Sequence, residues 1–298
     1  MEEHYEDLKT RLAQVCDLGR ATRLLGWDQQ TMMPRGGAQA RAEQLATLDR
    51  IAHERFTQDG IGDLLEELRP YEESLDSDSD EASLIRVARR DFEKALQVPP
   101  DLHAEITRSA SIAQSAWIEA RAESDFARFL PYLERNVELT HAYIDCFEPA
   151  EEPYDILLDD YEQGMKTAEV RATFERLKER QVPLIAAAVE NAGSVDASCL
   201  DAEFPIERQK AFVVAVIEPF GYDTSSWRID LAAHPFATNF SVKDIRITTR
   251  YAPDSLTGLF AAMHECGHGL YECGGSPTLE RTPLAGGVRS SVGLPPHS

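Results

Sequence analysis

The stretch Met263-His264-Glu265-Cys266-Gly267-His268-Gly269-Leu270-Tyr271-Glu272 decides how this chain is read. Two histidines stand four residues apart, with a glutamate directly after the first. On a helix, positions i and i+4 lie one turn apart on one face. Both imidazoles then reach one metal ion, and Glu265 projects beside it as a candidate general base. A catalytic zinc site also takes a third protein ligand. After His268 the chain offers Glu272, Cys273, Glu280 and His297 as donors. Glu272 is about 12 Å along the helix axis from His264, and metal–ligand bonds are about 2 Å, so one ion does not easily bind all three. Glu280 falls in a loop near Pro277 and Pro283. The longer form of the motif places a glycine three residues after the second histidine and another histidine three beyond that. Tyr271 and Gly274 stand there, which excludes that class.

Directly before this helix, residues 241–251 alternate. Ile245, Ile247, Thr249 and Tyr251 interleave with Asp244, Arg246, Thr248 and Arg250, the period-two pattern of a strand with one polar face. Ala252-Pro253-Asp254-Ser255 turns the chain into a helix over 254–273, closed by Gly274-Gly275. Its apolar stripe is Leu256, Leu259, Phe260, Met263 and Leu270, with the histidines towards the other side. A strand beside a metal helix suits a peptide that pairs with a sheet edge. His234-Pro235-Phe236 precedes the strand in a loop, and from its residues alone reads as a packing turn.

The rest of the chain reads as helices, over about 3–26, 38–57, 61–69, 81–97, 101–124, 125–147, 167–190 and 205–219. Gly26-Trp27-Asp28 and Pro34-Arg35-Gly36-Gly37 punctuate a loop. In the second helix Leu45, Leu48, Ile51 and Phe56 are expected in the core. Strand signals are almost absent before residue 240, and the architecture is mostly α. Residues 72–81 form an acidic linker, because a calcium loop would need a glycine that is missing. His53, His103 and His141 read as surface or packed histidines.

Composition bounds the function. The chain has 298 residues, 52 acidic against 30 basic, and a net charge of −22. That argues against nucleic acid or an anionic membrane as partner, and fits either an acidic cytosolic protein or one from a high-salt cytoplasm. No apolar run approaches the length of a membrane helix, and the acidic start is no signal peptide. Five scattered cysteines fit reduced thiols in a cytosol.

With these residues in view, the chain resembles the carboxypeptidase Taq family of metallocarboxypeptidases. Leu25-Gly26-Trp27-Asp28-Gln29, Met32-Met33-Pro34 and Ala40-Arg41-Ala42-Glu43-Gln44-Leu45 look like the family's opening helix pair. His234-Pro235-Phe236 looks like its HPF motif, Asp244-x-Arg246-x-Thr248 its D-x-R-x-T strand, and His264-Glu265-x-Gly267-His268 its metal helix. The resemblance covers about residues 5–284. It implies a nearly all-helical, zincin-like metallopeptidase with a deep cleft and a small β-element beside the metal helix. It would be a single domain over 1–298, with N-terminal helices over 1–160 and a catalytic half over 161–298. It implies release of single residues from peptide C-termini, zinc or sometimes cobalt as cofactor, a cytoplasmic location and a homodimer. By match, His264 and His268 are metal ligands and Glu265 the catalytic base. His234, Pro235, Phe236, Asp244, Arg246 and Thr248 line the cleft.

Family chains are much longer. Soon after Thr282-Pro283-Leu284 they carry an H-E-S motif whose glutamate is the third ligand. Here Ser291-Val292-Gly293-Leu294-Pro295-Pro296-His297-Ser298 stands instead. The expectation is therefore a C-terminally truncated member that binds metal weakly and exposes apolar surface. The alternatives are an inactive helical association fragment, or an oligopeptidase of related fold. An exopeptidase also needs a cation for the terminal carboxylate, and Arg246 and Arg250 are the arginines of this segment.

Overall fold

The computed structural model describes residues 1–286. Eleven α-helices and one small sheet make up the described fold: α1 Glu2–Thr31, α2 Ala38–Phe56, α3 Asp59–Glu67, α4 Arg69–Ser74, α5 Asp80–Gln97, α6 Pro100–Glu123, α7 Phe126–Ile144, α8 Tyr154–Asp159, α9 Thr167–Asn191, α10 Ile206–Ile217 and α11 Thr257–Cys273. The strands are β1 Trp227–Leu231, β2 Ala237–Ser241 and β3 Asp244–Thr249, in spatial order β1-β3-β2. β1 runs parallel to β3 and β2 antiparallel to it, with Ala237 opposite Ile247.

Several boundaries differ from the sequence reading, each for a local reason. α1 does not stop at Gly26. The Arg41 guanidinium on α2 donates to the Leu25 carbonyl at 2.5 Å and to Asp28 Oδ2 at 2.6 Å. That bridge holds the last turn of α1 and offsets the roughly 1 kcal/mol a mid-helix glycine costs. Pro70 follows the end of α3 at Glu67. It sits in the first turn of α4, where its missing N–H has no intrahelical partner to lose. In α2 the buried line runs through Ala42, Leu45, Ala46, Asp49, Ala52, His53 and Phe56, while Ile51 is exposed. The seam with α6 is therefore small and polar where a purely apolar stripe was expected.

Two cores form. One gathers Leu8 and Leu12 of α1 with Phe56, Ile61, Leu65, Leu84 and Ile85 of α2, α3 and α5. The other packs Val213 and Ile217 of α10 and Ala262 and Cys266 of α11 against Trp227, Ile245 and Ile247 of the sheet. So β3 buries its apolar face on α11, as its alternation requires. Gly269 allows the contact, because a Cβ there would lie 2.2 Å from Trp227 Cζ3 and 2.9 Å from Ile245 Cγ2. The segment after α11 is pinned at two points. Glu280 Oε1 accepts from the Val242 N–H at 2.7 Å, and Arg281 grips Asp17 of α1 through two nitrogens.

Candidate metal centre

α11 starts at Thr257, later than expected, because Ser255 Oγ takes the Thr257 N–H at 3.1 Å. Its sheet-facing positions, Gly258, Ala262, Cys266 and Gly269, are buried. His264 and His268 fall on the open side and are exposed, and Phe260 joins them at 66% exposure, not the apolar stripe. The two Nε2 atoms stand 3.1 Å apart, with rings 4.8 Å apart and nearly perpendicular. Two metal–nitrogen bonds of about 2.0–2.1 Å at a tetrahedral angle span roughly 3.3 Å. The pair is thus already closed to within a few tenths of an ångström of the spacing one ion needs.

Glu265, which follows His264 directly, is buried at 7% exposure. Burial pushes its carboxyl above the ordinary range, and the neighbouring His268 and His264 pull partly the other way. A half-desolvated carboxylate beside two imidazoles is a stronger base than one in water.

The residues present fit two positions of a metal site. Among the described residues no group of three His, Cys, Asp or Glu side chains converges to hold an ion. Glu280 is committed to the β2–β3 turn through Val242. Glu272 lies one turn beyond His268 on the same helix. His297 lies outside the described residues.

The other sequence candidates assemble on the opposite face of the sheet. Asp244 and Arg246 form a two-pronged pair within one strand, at 3.0 and 3.1 Å. The Arg246 guanidinium carbon also lies 4.4 Å from the Trp27 ring and 4.6 Å from Phe240. Arg228, its partner across the β1–β3 register, stacks on the same indole at 4.9 Å. Arg246 thus ties α1 to the sheet through Trp27. Thr248 is fully buried, and its hydroxyl both accepts from the Phe236 N–H and donates to the Phe236 carbonyl, at 2.7 and 3.0 Å. That clamp fixes the His234-Pro235-Phe236 loop at the start of β2. His234 itself is exposed and meets Trp117 of α6 edge-on at 6.4 Å. None of these side chains is hydrogen-bonded, ion-paired or stacked with the histidine pair, whose rings meet each other.

Sequence reasoning missed Trp117 and Arg121. Both Arg121 and Arg250 donate to the Ala233 carbonyl, at 2.7 and 3.2 Å, and Arg121 stacks on Trp117 at 5.1 Å. The i, i+4 spacing of Trp117 and Arg121 was the available signal, since it places both on one helix face. A cavity of about 180 Å³ between α2, α6 and α7, lined by Gln39, Ser115, Glu119 and Arg128 among others, involves no residue of α11.

Comparison with known proteins fits this geometry. The family model described as "Carboxypeptidase Taq (M32) metallopeptidase" matches residues 7–293. The chain is 36% identical to thermostable carboxypeptidase 1 of Thermus thermophilus over 283 residues, which is 92% of this chain and 56% of that protein. It is 33% identical to carboxypeptidase 1 of Bacillus subtilis, covering 98% of this chain and 57% of that one. The BsuCP crystal structure superposes with a TM-score of 0.91 at 31% identity, over 95% of this chain and 57% of that one. An M32 carboxypeptidase from Deinococcus radiodurans R1 superposes at 0.80 with 38% identity, over 96% and 57%. The chain therefore spans a little over half the length of the relatives it matches.

Proposed function

The chain belongs to the carboxypeptidase Taq (M32) metallopeptidase family, and we propose that it carries that family's proton-transfer machinery, with Glu265 as the general base of a peptide hydrolysis at the His264/His268 pair. The observation that carries the reading is the 3.1 Å approach of the two Nε2 atoms beside a buried glutamate.

His264 and His268 would hold the ion, with zinc as the first choice and cobalt as a replacement. Such an ion, when bound, polarises a carbonyl and acidifies water. The protein's own part is proton handling. The Glu265 carboxylate accepts a proton as water oxygen adds to the scissile carbonyl carbon. It returns that proton to the leaving nitrogen as the C–N bond breaks. Its burial supports this role, because a carboxylate starved of solvent binds the proton more strongly in transit. The substrate class is peptides, cleaved one residue at a time from the C-terminus. β2 is an outer strand, and an extended peptide can pair with such an edge. Cytoplasmic location and a homodimer complete the reading.

A second reading, a helical association module without turnover, draws on the lack of a third donor among the described residues. One experiment separates the two. The purified chain is supplied with zinc and a tripeptide, alongside Glu265→Gln. Release of a single C-terminal residue, lowered about 10²–10⁴-fold in the variant with metal content unchanged, supports the base role. Equal turnover in the variant rejects it. A dipeptide product indicates an oligopeptidase, and no turnover from either chain favours the association module.

A further inference from the structure

We infer that α9 presents a coiled-coil seam for an amphipathic helix of a partner polypeptide, one with acidic residues along both its flanks.

The seam is set by spacing. Val170, Phe174, Leu177, Gln181, Leu184 and Ala188 recur at alternating steps of four and three. That is the a/d pattern of a helix that packs lengthwise on another, with Val170, Leu177 and Leu184 at d and the other three at a. The row runs for about 27 Å along α9. Among the described residues no helix packs lengthwise on it. None of the 25 residues of α9 is buried, and Phe174, Leu177 and Leu184 are 45–69% exposed. The elements α9 packs against to any extent are its chain neighbours, α8 and the short turn after Asn191. A helix in a protein draws most of its stability from packing its apolar face. α9 also carries Pro183 in its interior, which removes a helical hydrogen bond. Pro183 falls at position c, off the seam, so it interrupts no seam contact.

Charge decides the occupant. The e positions beside the seam are Arg171, Lys178 and Ile185, and the g positions are Thr173, Arg180 and Ala187. Both flanks are therefore basic, on a chain whose net charge is −22. Residues at e and g choose the partner of a coiled coil through ion pairs between helices. Arg171 lies 3.1 Å from Glu152 and Lys178 3.1 Å from Glu175, exposed pairs that are worth little and exchange readily. Arg180 forms no ion pair among the described residues. A second copy of this chain brings the same e and g residues and no carboxylate to either flank, so it is the poorer occupant. A helix with Glu or Asp at its own e and g positions answers both flanks at once. Gln181, the polar residue within the seam, fixes the register, and the partner position facing it takes Asn or Gln.

The test is the binding of two labelled three-heptad helical peptides to the full chain, read by fluorescence anisotropy at low salt. Both peptides have Leu at a and d, with one Asn to face Gln181. One has Glu at every e and g position and the other has Lys. Because the chain as a whole is strongly negative, unspecific attraction favours the lysine peptide, so a preference for the glutamate peptide reports the flanks of the seam. The glutamate peptide is expected to bind about tenfold more tightly, and the difference should shrink as salt is raised. Leu177→Glu combined with Leu184→Glu should abolish binding of both peptides. Lys178→Glu combined with Arg180→Glu should reverse the preference, which loss of folding does not do. All four side chains are exposed, and circular dichroism melts check that each variant is folded; if the leucine variant is not, the charge reversal carries the test. Equal binding of the two peptides, no binding of the glutamate peptide at about 100 µM, or a preference that survives the charge reversal overturns the inference. So does a chain dimer, seen by light scattering, that Leu184→Glu dissolves and the glutamate peptide leaves intact, since a second copy then occupies the seam.

Discussion

The glycines of α11 divide the helix at the scale of single residues. Gly267 lies between the two histidines on the open side, and a Cβ there meets nothing within 4 Å. Gly269 faces Trp227 and Ile245, where a Cβ at 2.2 Å has nowhere to go. The same one-carbon change should therefore have opposite signs two residues apart. Gly267→Ala removes only the entropic cost of a mid-helix glycine and should stabilise by about 0.5–1 kcal/mol. Gly269→Ala must push a buried indole aside and should destabilise by about 1–3 kcal/mol. Urea denaturation of the two variants checks this, and changes of the same sign would show that the helix does not sit on the sheet as described. The histidine pair and Glu265 were legible in sequence because four-residue spacing on a helix fixes a shared face. The surroundings of the pair were not, because Phe260 carries an apolar side chain on the open side, where periodicity alone assigns it to the core.

Among the elements, the α2–α6 seam shows best what sequence could not carry. Asp49 Oδ2 lies 2.7 Å from His103 Nδ1 and accepts from Thr107 Oγ1 at 2.6 Å. The His53 ring stacks on His103 at 4.6 Å. All four residues are buried. Burial first, and the His103 charge second, lower the His53 pKa from 6.5 to about 4. The folded value lies below the unfolded one. Between pH 6.5 and 4 the unfolded chain therefore takes up a proton that folded His53 refuses, and stability falls as pH falls. The full effect is about 3 kcal/mol at about 1.4 kcal/mol per unit. His53→Gln should flatten this part of the stability–pH curve, measured as urea midpoints at pH 7, 5.5 and 4.5. A variant with the wild-type slope would remove His53 from the account. These residues read as lone histidines in sequence because their partners come from another helix. β1 and β2 were missed for a related reason. Their half-buried residues lack a strong alternation, and they become strands by pairing with β3, whose pattern was plain.

For the whole molecule, the exposed apolar surface stands out. α9 has 25 residues and none of them is buried; Leu184, Ile185 and Val189, on neighbouring turns, are 58–69% exposed. Apolar exposure on this scale promotes association, so light scattering should show mass rising with concentration, and Leu184→Glu should reduce the rise. The relatives are nearly twice as long as the region matched, and among the described residues no third donor converges on the histidine pair. The central claim, that His264 and His268 jointly hold the ion, is tested most directly by calorimetric zinc titration of the chain and of His264→Ala and His268→Ala. The account predicts one weakly held zinc per chain, with affinity reduced at least tenfold in either variant. Zinc bound equally well by both alanine variants would contradict it.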